Sequence, residues 1–199
     1  MQFWQFITGF GDSMFALPAA AVVTLWCACA GTRGQTAHWV AMVVIATVCV
    51  TASKLFYMGW GSAEQLPAFT GISGHATMAG LVLPILCALA AQAYCGSGRQ
   101  RAYHVGQVLA LVVGASRVAV HVHSVSEVVA GLILGLGLSQ LFLHALQRRH
   151  AIGVNRALVT TCLLALMPLL LAKPAPTQQV LQHLARVVTP YPQASARLN

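Results

Sequence analysis

The residues best suited to chemistry lie in one short stretch of an otherwise apolar sequence, residues 114–131, which reads GASRVAVHVHSVSEVVAG. It places Arg117, His123 and Glu127 within eleven positions. His123 and Glu127 are four residues apart, so on a helix they share one face and the carboxylate can hold the imidazole. A charge in or near hydrocarbon is costly, which indicates a functional cluster. The alternative is a pair that only neutralises itself inside a bundle.

Two further groups could join this cluster. Ser73, Gly74 and His75 are consecutive and open an apolar run, and Lys54 stands near the end of the preceding run. A histidine suits general acid–base work because its pKa lies near neutrality. Each group also has a structural interpretation: a lysine near a helix end commonly extends toward the lipid headgroups, and Ser-Gly commonly forms only a cap and turn.

The elements that carry these residues are predicted to span a membrane. The 199-residue chain is 58% hydrophobic and 7% charged, with a mean hydropathy of +0.74. Spanning helices need about 20 mostly apolar residues. Six runs approach that length, which predicts an all-α, six-transmembrane helix bundle; the runs are residues 13–31, 38–60, 75–95, 103–121, 124–146 and 155–172.

The remaining segments are predicted to lie outside the spans. Residues 1–12 are aromatic and amphipathic and suit a short interfacial segment, residues 13–172 form the membrane domain, and residues 173–199 form an extramembrane tail. The net charge of +8 is scattered singly or in pairs, which does not favour nucleic acid as a partner. The six cysteines never form CxxC, so they are read as small buried hydrophobic residues.

Positive charge predicts the orientation, because short loops rich in Lys and Arg stay in the cytoplasm. Three alternate loops carry the arginines, whereas residues 61–74 contain no Lys or Arg. The end of span two, the start of span three, the end of span four and the start of span five therefore share the outer face. All the candidate residues lie there.

Together these residues resemble the type 2 phosphatidic acid phosphatase superfamily, whose members carry K-x6-RP, then PSGH, then SR-x5-H-x3-D. The third motif is matched in spacing by Ser116-Arg117, His123 and Glu127, with Glu in place of Asp. The second is present as Ser73-Gly74-His75 without the proline. Of the first, Lys54 is present, whereas positions 61 and 62 hold Gly and Ser instead of Arg-Pro.

The resemblance implies a mechanism for these positions. His123 would be the nucleophile that forms a phosphohistidine, oriented by Glu127, and His75 would act as acid and then base. Four residues would bind the phosphoryl oxygens: Lys54, Ser73, the Gly74 amide and Arg117. No metal or other cofactor is expected, because the whole chain has only three Asp and Glu residues.

A site at the outer membrane boundary predicts a membrane lipid phosphate as substrate, namely phosphatidate, phosphatidylglycerol phosphate, a polyprenyl diphosphate or a lipid A phosphate. The expected location is a bacterial inner membrane, with the active site facing the periplasm. Two alternatives stay open. One is a lipid phosphotransferase on the same fold, and the other is a non-catalytic transporter or haem-binding bundle that uses His121, His123 and His144.

Overall fold

The computed structural model of the chain describes residues 2–60, 70–95, 98–147, 153 and 155–171. Within these ranges the regular secondary structure is entirely helical. The helices are α1 (Gln2–Gly9), α2 (Ser13–Ala30), α3 (Arg33–Trp60), α4 (Gly74–Cys95), α5 (Arg99–Ala119), α6 (Val125–Gln147) and α7 (Arg156–Leu166), which a 3-10 turn continues over Met167–Leu171.

The all-α membrane bundle predicted from the sequence is confirmed. Five helical segments in the described ranges are long and apolar enough to cross a bilayer: Phe3–Ala30, Arg33–Tyr57, Gly74–Cys95, Arg99–Ala119 and Val125–Leu146. The sixth predicted run is helical but shorter, over Arg156–Leu170. Its α-helical part ends just before Pro168, which has no backbone N–H to continue the hydrogen-bond ladder.

The centre of the bundle is α4, whose side chains are buried almost continuously from Ala76 to Leu89. It packs mainly against α5 and α6, and α2 and α3 complete the core on its other sides. From α2 to α6 the helices alternate in direction, so that the start of α6 lies beside the start of α4. We call the site end the end of the bundle at which α2, α4 and α6 begin and α3 and α5 finish.

The opposite half of the bundle is closed by aromatic packing and by buried hydrogen bonds between helices. The rings of Trp39 and Phe142 lie 5.0 Å apart, and Trp39 Nε1 donates to the Ala20 carbonyl at 3.1 Å. The Tyr103 hydroxyl lies 3.0 Å from Ser139 Oγ. These buried bonds fix α2, α3, α5 and α6 around α4, which gives the site end a rigid support.

At the site end, α6 crosses very close to the start of α4. A Cβ atom at Gly131 would stand 2.7 Å from the Ser73 carbonyl oxygen and 3.1 Å from Thr77 Oγ1. Only a residue without a side chain permits this approach. The contact holds Glu127, one turn earlier on α6, against the first residues of α4.

The N-terminal helix α1 also lies at the site end. It packs against α5 and against the 3-10 turn, where a Cβ at Gly9 would be 3.7 Å from the Leu170 carbonyl oxygen. Its predicted position in the membrane interface stays a prediction. The predicted extramembrane tail, residues 173–199, lies outside the described residues.

Replacing Gly131 by alanine should destabilise the bundle, because the new methyl group must push α6 away from α4. We expect a loss of roughly 1–3 kcal/mol, the usual cost of overpacking. Gly137→Ala is the matched control, since a Cβ there meets nothing within 4 Å and alanine favours the helix. Thermal unfolding in detergent measures both; equal melting temperatures for the two variants would contradict this account of the crossing.

Candidate active site

His123 lies in the tight turn that joins α5 to α6. The turn is closed by backbone bonds from Val120 N to the Ser116 carbonyl and from Val122 N to the Arg117 carbonyl. His121 takes a left-handed conformation, with φ of 56°, at the point where the chain leaves α5. This reversal directs His123 back toward the start of α6, and its side chain is 11% exposed.

The carboxylate of Glu127 organises the site. His123 Nδ1 lies 2.7 Å from its Oε2 atom, and the Ser124 backbone N–H donates to the same oxygen at 3.0 Å. Its other oxygen accepts from the Thr70 backbone N–H and, at 2.6 Å, from Thr70 Oγ1. Glu127 is only 2% exposed, so this complete set of donors is what makes its burial tolerable.

The Ser73-Gly74-His75 segment begins α4 directly beside Glu127. Ser73 N donates to the Glu127 carbonyl at 3.2 Å, and the Ser73 carbonyl accepts from Thr77 N and Oγ1. Ser73 is fully buried, and within the described part of the chain its Oγ atom has no hydrogen-bond partner. A buried hydroxyl next to the first free N–H groups of a helix is suited to bind an anion.

Lys54 reaches the same region from the last turns of α3. The backbone at Gly71 lies against it: a Cβ there would stand 2.9 Å from Lys54 Cγ, and the φ of +114° also favours glycine. The neighbouring Ile72 N donates to Ser53 Oγ at 3.1 Å. Lys54 is half-buried and interacts electrostatically with both Arg117 and Glu127.

Arg117 approaches from the last turn of α5 and is held by the N-terminal helix. Its Nη1 atom donates to Thr8 Oγ1 at 2.9 Å. The Nε atom is buried and, among the described residues, has no hydrogen-bond partner. Arg117 therefore keeps donor capacity that could hold an oxyanion.

His75, one residue into α4, faces the start of α2. Its Nε2 atom lies 3.4 Å from Asp12 Oδ2, while Asp12 Oδ1 accepts from Met14 N at 2.8 Å and caps α2. The positive charges of Lys54 and Arg117 also act on His75. The site thus holds two imidazoles, each beside a different carboxylate.

Burial lowers the pKa of His123 below its usual value, and the nearby charges of Arg117 and Lys54 lower it further. The hydrogen bond and negative charge of Glu127 oppose this change in pKa without cancelling it. At neutral pH the ring is therefore uncharged. With Nδ1 bound to Glu127, the neutral ring carries its proton on Nδ1 and its lone pair on Nε2.

The structure brings all seven predicted residues to one end of the bundle: His123, Glu127, His75, Lys54, Ser73, Gly74 and Arg117. His121 and His144, considered for haem, are both exposed. His144 lies 21 positions after His123, so the two are on the order of 30 Å apart along the bundle at 1.5 Å per residue. Positions 61 and 62 lie outside the described residues.

Three residues that contact the site were missed by sequence reasoning: Thr8, Asp12 and Thr70. Asp12 is the N-cap residue of α2. The sequence did contain a signal for Asp12, because acidic residues are rare in this chain, which has only three. Thr8 and Thr70 carry no such signal, since a single threonine outside a motif is unremarkable.

This fold and this site define an integral membrane protein with two histidines, a lysine and an arginine at one end of its helix bundle, around the start of α4. The PAP2 superfamily pattern matches residues 57–151, which include the second and third motifs but not Lys54. The chain belongs to the PAP2 superfamily.

One relative extends over nearly the whole length. The chain is similar to an uncharacterized 22.5 kDa protein in cps region of Klebsiella pneumoniae, with 38% identity over 193 residues that cover 94% of this chain and 92% of the relative. No solved structure matches the chain.

Two substitutions should move the pKa of His123 in opposite directions. Glu127→Gln removes the negative charge that raises it, so the pKa should fall further below its ordinary value. Lys54→Met removes a positive charge that lowers it, so the pKa should rise. Both pKa values can be measured from the imidazole chemical shifts of labelled protein in detergent across a pH titration. If both substitutions change the pKa in the same direction and by the same amount, the electrostatic account is refuted.

Proposed function

We propose that the protein is a membrane lipid phosphatase that hydrolyses a phosphate monoester or diphosphate through a phosphohistidine on His123. The observation that carries the proposal is the 2.7 Å contact between His123 Nδ1 and Glu127, which leaves Nε2 as the nucleophilic atom. Two buried donors without protein partners in the described part of the chain, Ser73 Oγ and Arg117 Nε, supply oxyanion contacts beside it.

The reaction proceeds in two balanced steps. First, His123 Nε2 attacks phosphorus, the bond to the leaving oxygen breaks, and His75 gives that oxygen a proton. Second, water attacks the phosphohistidine, His75 takes a proton from the water, and the bond between nitrogen and phosphorus breaks. Glu127 keeps the Nδ1 proton in place and stabilises the positive charge that the ring carries in the intermediate.

Positive groups stabilise the charge that develops on the phosphoryl oxygens. Lys54 and Arg117 supply full charges, and Ser73 and the Gly74 amide supply hydrogen bonds at the start of α4. Charge stabilisation by these groups supports a metal-independent reaction. The two acids in the described ranges are also poorly placed to bind a metal ion. The Glu127 carboxylate already contacts Thr70, His123 and Ser124, and Asp12 caps α2.

A lipid is the substrate class that the surroundings favour. Val122 and Val125 lie close to His123 in the chain and are 52% and 62% exposed. Phe56, in the part of α3 that reaches the site end, is 67% exposed. Exposed apolar side chains around a polar site suit a substrate whose phosphate lies at headgroup depth and whose chain lies in the bilayer. Phosphatidate, phosphatidylglycerol phosphate, polyprenyl diphosphate and lipid A phosphates all have this form.

The distribution of arginines supports an outward-facing site in a bacterial inner membrane. Arg33, Arg99 and Arg156 lie at the end of the bundle opposite to the site, where Arg156 Nε donates to the Ala93 carbonyl at 3.1 Å. Positively charged ends stay in the cytoplasm. The site end would therefore face the periplasm.

His123→Ala should abolish phosphate release from lipid phosphates, with a loss of roughly a thousandfold or more, the scale of removing a nucleophile. Purified protein in mixed micelles with each lipid class and EDTA provides the assay, with colorimetric phosphate detection. His121→Asn is the control, because His121 is exposed and asparagine accepts its left-handed backbone. A full lipid panel without His123-dependent turnover would refute the catalytic proposal.

The same assay separates hydrolysis from phosphoryl transfer. If the phosphate removed from one lipid appears on a second lipid instead of in water, the protein is a phosphotransferase. Mass spectrometry of the lipid products detects this, with His123→Ala as the blank.

The orientation has its own test in a cysteine introduced at Val122. A membrane-impermeant maleimide should label Val122→Cys in intact spheroplasts. The native protein is the control, since its exposed cysteines, Cys29 and Cys95, lie at the opposite end and should react only after permeabilisation. Labelling of Val122→Cys that requires permeabilisation would reverse the proposed orientation.

A further inference from the structure

Asp12 is the second acid of the site, beside His75, whereas Glu127 lies beside His123. It is 8% exposed, its Oδ1 atom caps α2, and its Oδ2 atom lies 3.4 Å from His75 Nε2. Asp12 also interacts electrostatically with Arg117. A helix cap requires only a short polar side chain, so the cap alone does not account for a carboxylate at this position.

The backbone holds Asp12 in this place. A Cβ atom at Gly11 would stand 2.8 Å from the His75 carbonyl oxygen and 3.0 Å from His75 Cβ. The chain before α2 therefore packs directly against the first turn of α4. This close approach, together with the cap, fixes the carboxylate relative to the imidazole.

We propose that Asp12 is the positioning residue of His75, so that the site contains two histidine–carboxylate pairs with separate tasks. Glu127 orients the nucleophile His123, and Asp12 orients the acid–base residue His75. The inference rests on the proposed function and deepens it. Asp12 is the N-cap residue of α2, far in sequence from both histidines.

The pairing assigns the atoms of His75. With Nε2–H directed at Asp12, Nδ1 is the atom that exchanges protons with the reactants. In the first step the proton on Nδ1 passes to the leaving oxygen, and in the second step Nδ1 accepts a proton from the attacking water. The Nε2 proton stays on the ring throughout, and the Asp12 carboxylate stabilises the protonated ring before the first step and after the second.

Charges from three other helices act on His75. Asp12 on α2 favours the protonated ring, whereas Lys54 on α3 and Arg117 on α5 oppose it. Burial also disfavours the charged ring, so the Asp12 carboxylate is the group that opposes burial and the two cations in favour of the protonated form of His75. Removing that carboxylate should leave the acid step impaired and the binding of phosphate intact.

The test uses Asp12→Asn and Asp12→Ser, which both keep a good helix cap and both remove the charge. Two substrates are compared: an alkyl phosphate, whose alkoxide leaving group needs a proton, and p-nitrophenyl phosphate, whose phenolate does not. We expect a loss of roughly a hundredfold in kcat for the alkyl phosphate and a much smaller loss for the nitrophenyl ester. The basic limb of the pH profile for the alkyl phosphate should also move to lower pH.

Three outcomes would overturn the inference. Equal losses on both substrates with an unshifted pH profile would mean a purely structural role. Unchanged activity on both would mean no role. The third outcome is tighter inhibition by orthovanadate in the variants, with the same relative change in rate on both substrates. It would mean that Asp12 only competes with the phosphate for the cations.

Gly11→Ala provides a second test that leaves the carboxylate in the chain. The added methyl group should displace Asp12 from His75 and should reproduce the same leaving-group dependence; a variant that folds and shows no such dependence counts against the inference. Failure of the proposed function is distinguishable, because it would appear as the absence of His123-dependent turnover in the native protein.

Discussion

The structure of the site depends on one buried carboxylate, that of Glu127. An uncompensated carboxylate in an apolar bundle would cost several kcal/mol, so its position is set by the donors that it finds. Those donors come from Thr70 before α4 and from His123 and Ser124 before α6. A single side chain therefore joins the two segments that carry the histidines and fixes the tautomer of His123.

The second constraint is the concentration of positive charge at the site end. Lys54 and Arg117 are partly buried close to two imidazoles, in surroundings where charge interactions are stronger than in water. Asp12, beside His75, and Glu127, beside His123, balance this charge. Two buried donors, Ser73 Oγ and Arg117 Nε, have no protein partner in the described part of the chain. Together with the two cations they make the site suited to an anionic ligand.

Much of the site was predictable because its chemistry leaves a trace in the sequence. His123 and Glu127 stand out by their spacing on a helix, and an arginine or lysine stands out in any apolar run. The spans were predictable because bilayer thickness fixes helix length, and the five long helices agree with the predicted runs. The sixth predicted run is also helical where it is described, as an α-helix over Arg156–Leu166 that a 3-10 turn continues over Met167–Leu171, and hydropathy does not register this change of helix type at Pro168.

By itself the sequence determined the membrane bundle, the order of its helices and the residue types that meet at one end, because apolar length, spacing and charge are local properties. Only the tertiary structure decided that Asp12 faces His75 and that Thr70 binds Glu127. Asp12 reaches His75 and Thr70 reaches Glu127 across 63 and 57 positions of the chain, through close backbone contacts at Gly11 and Gly131. Such contacts arise from helix packing, and packing partners are not encoded in the pattern of any single segment.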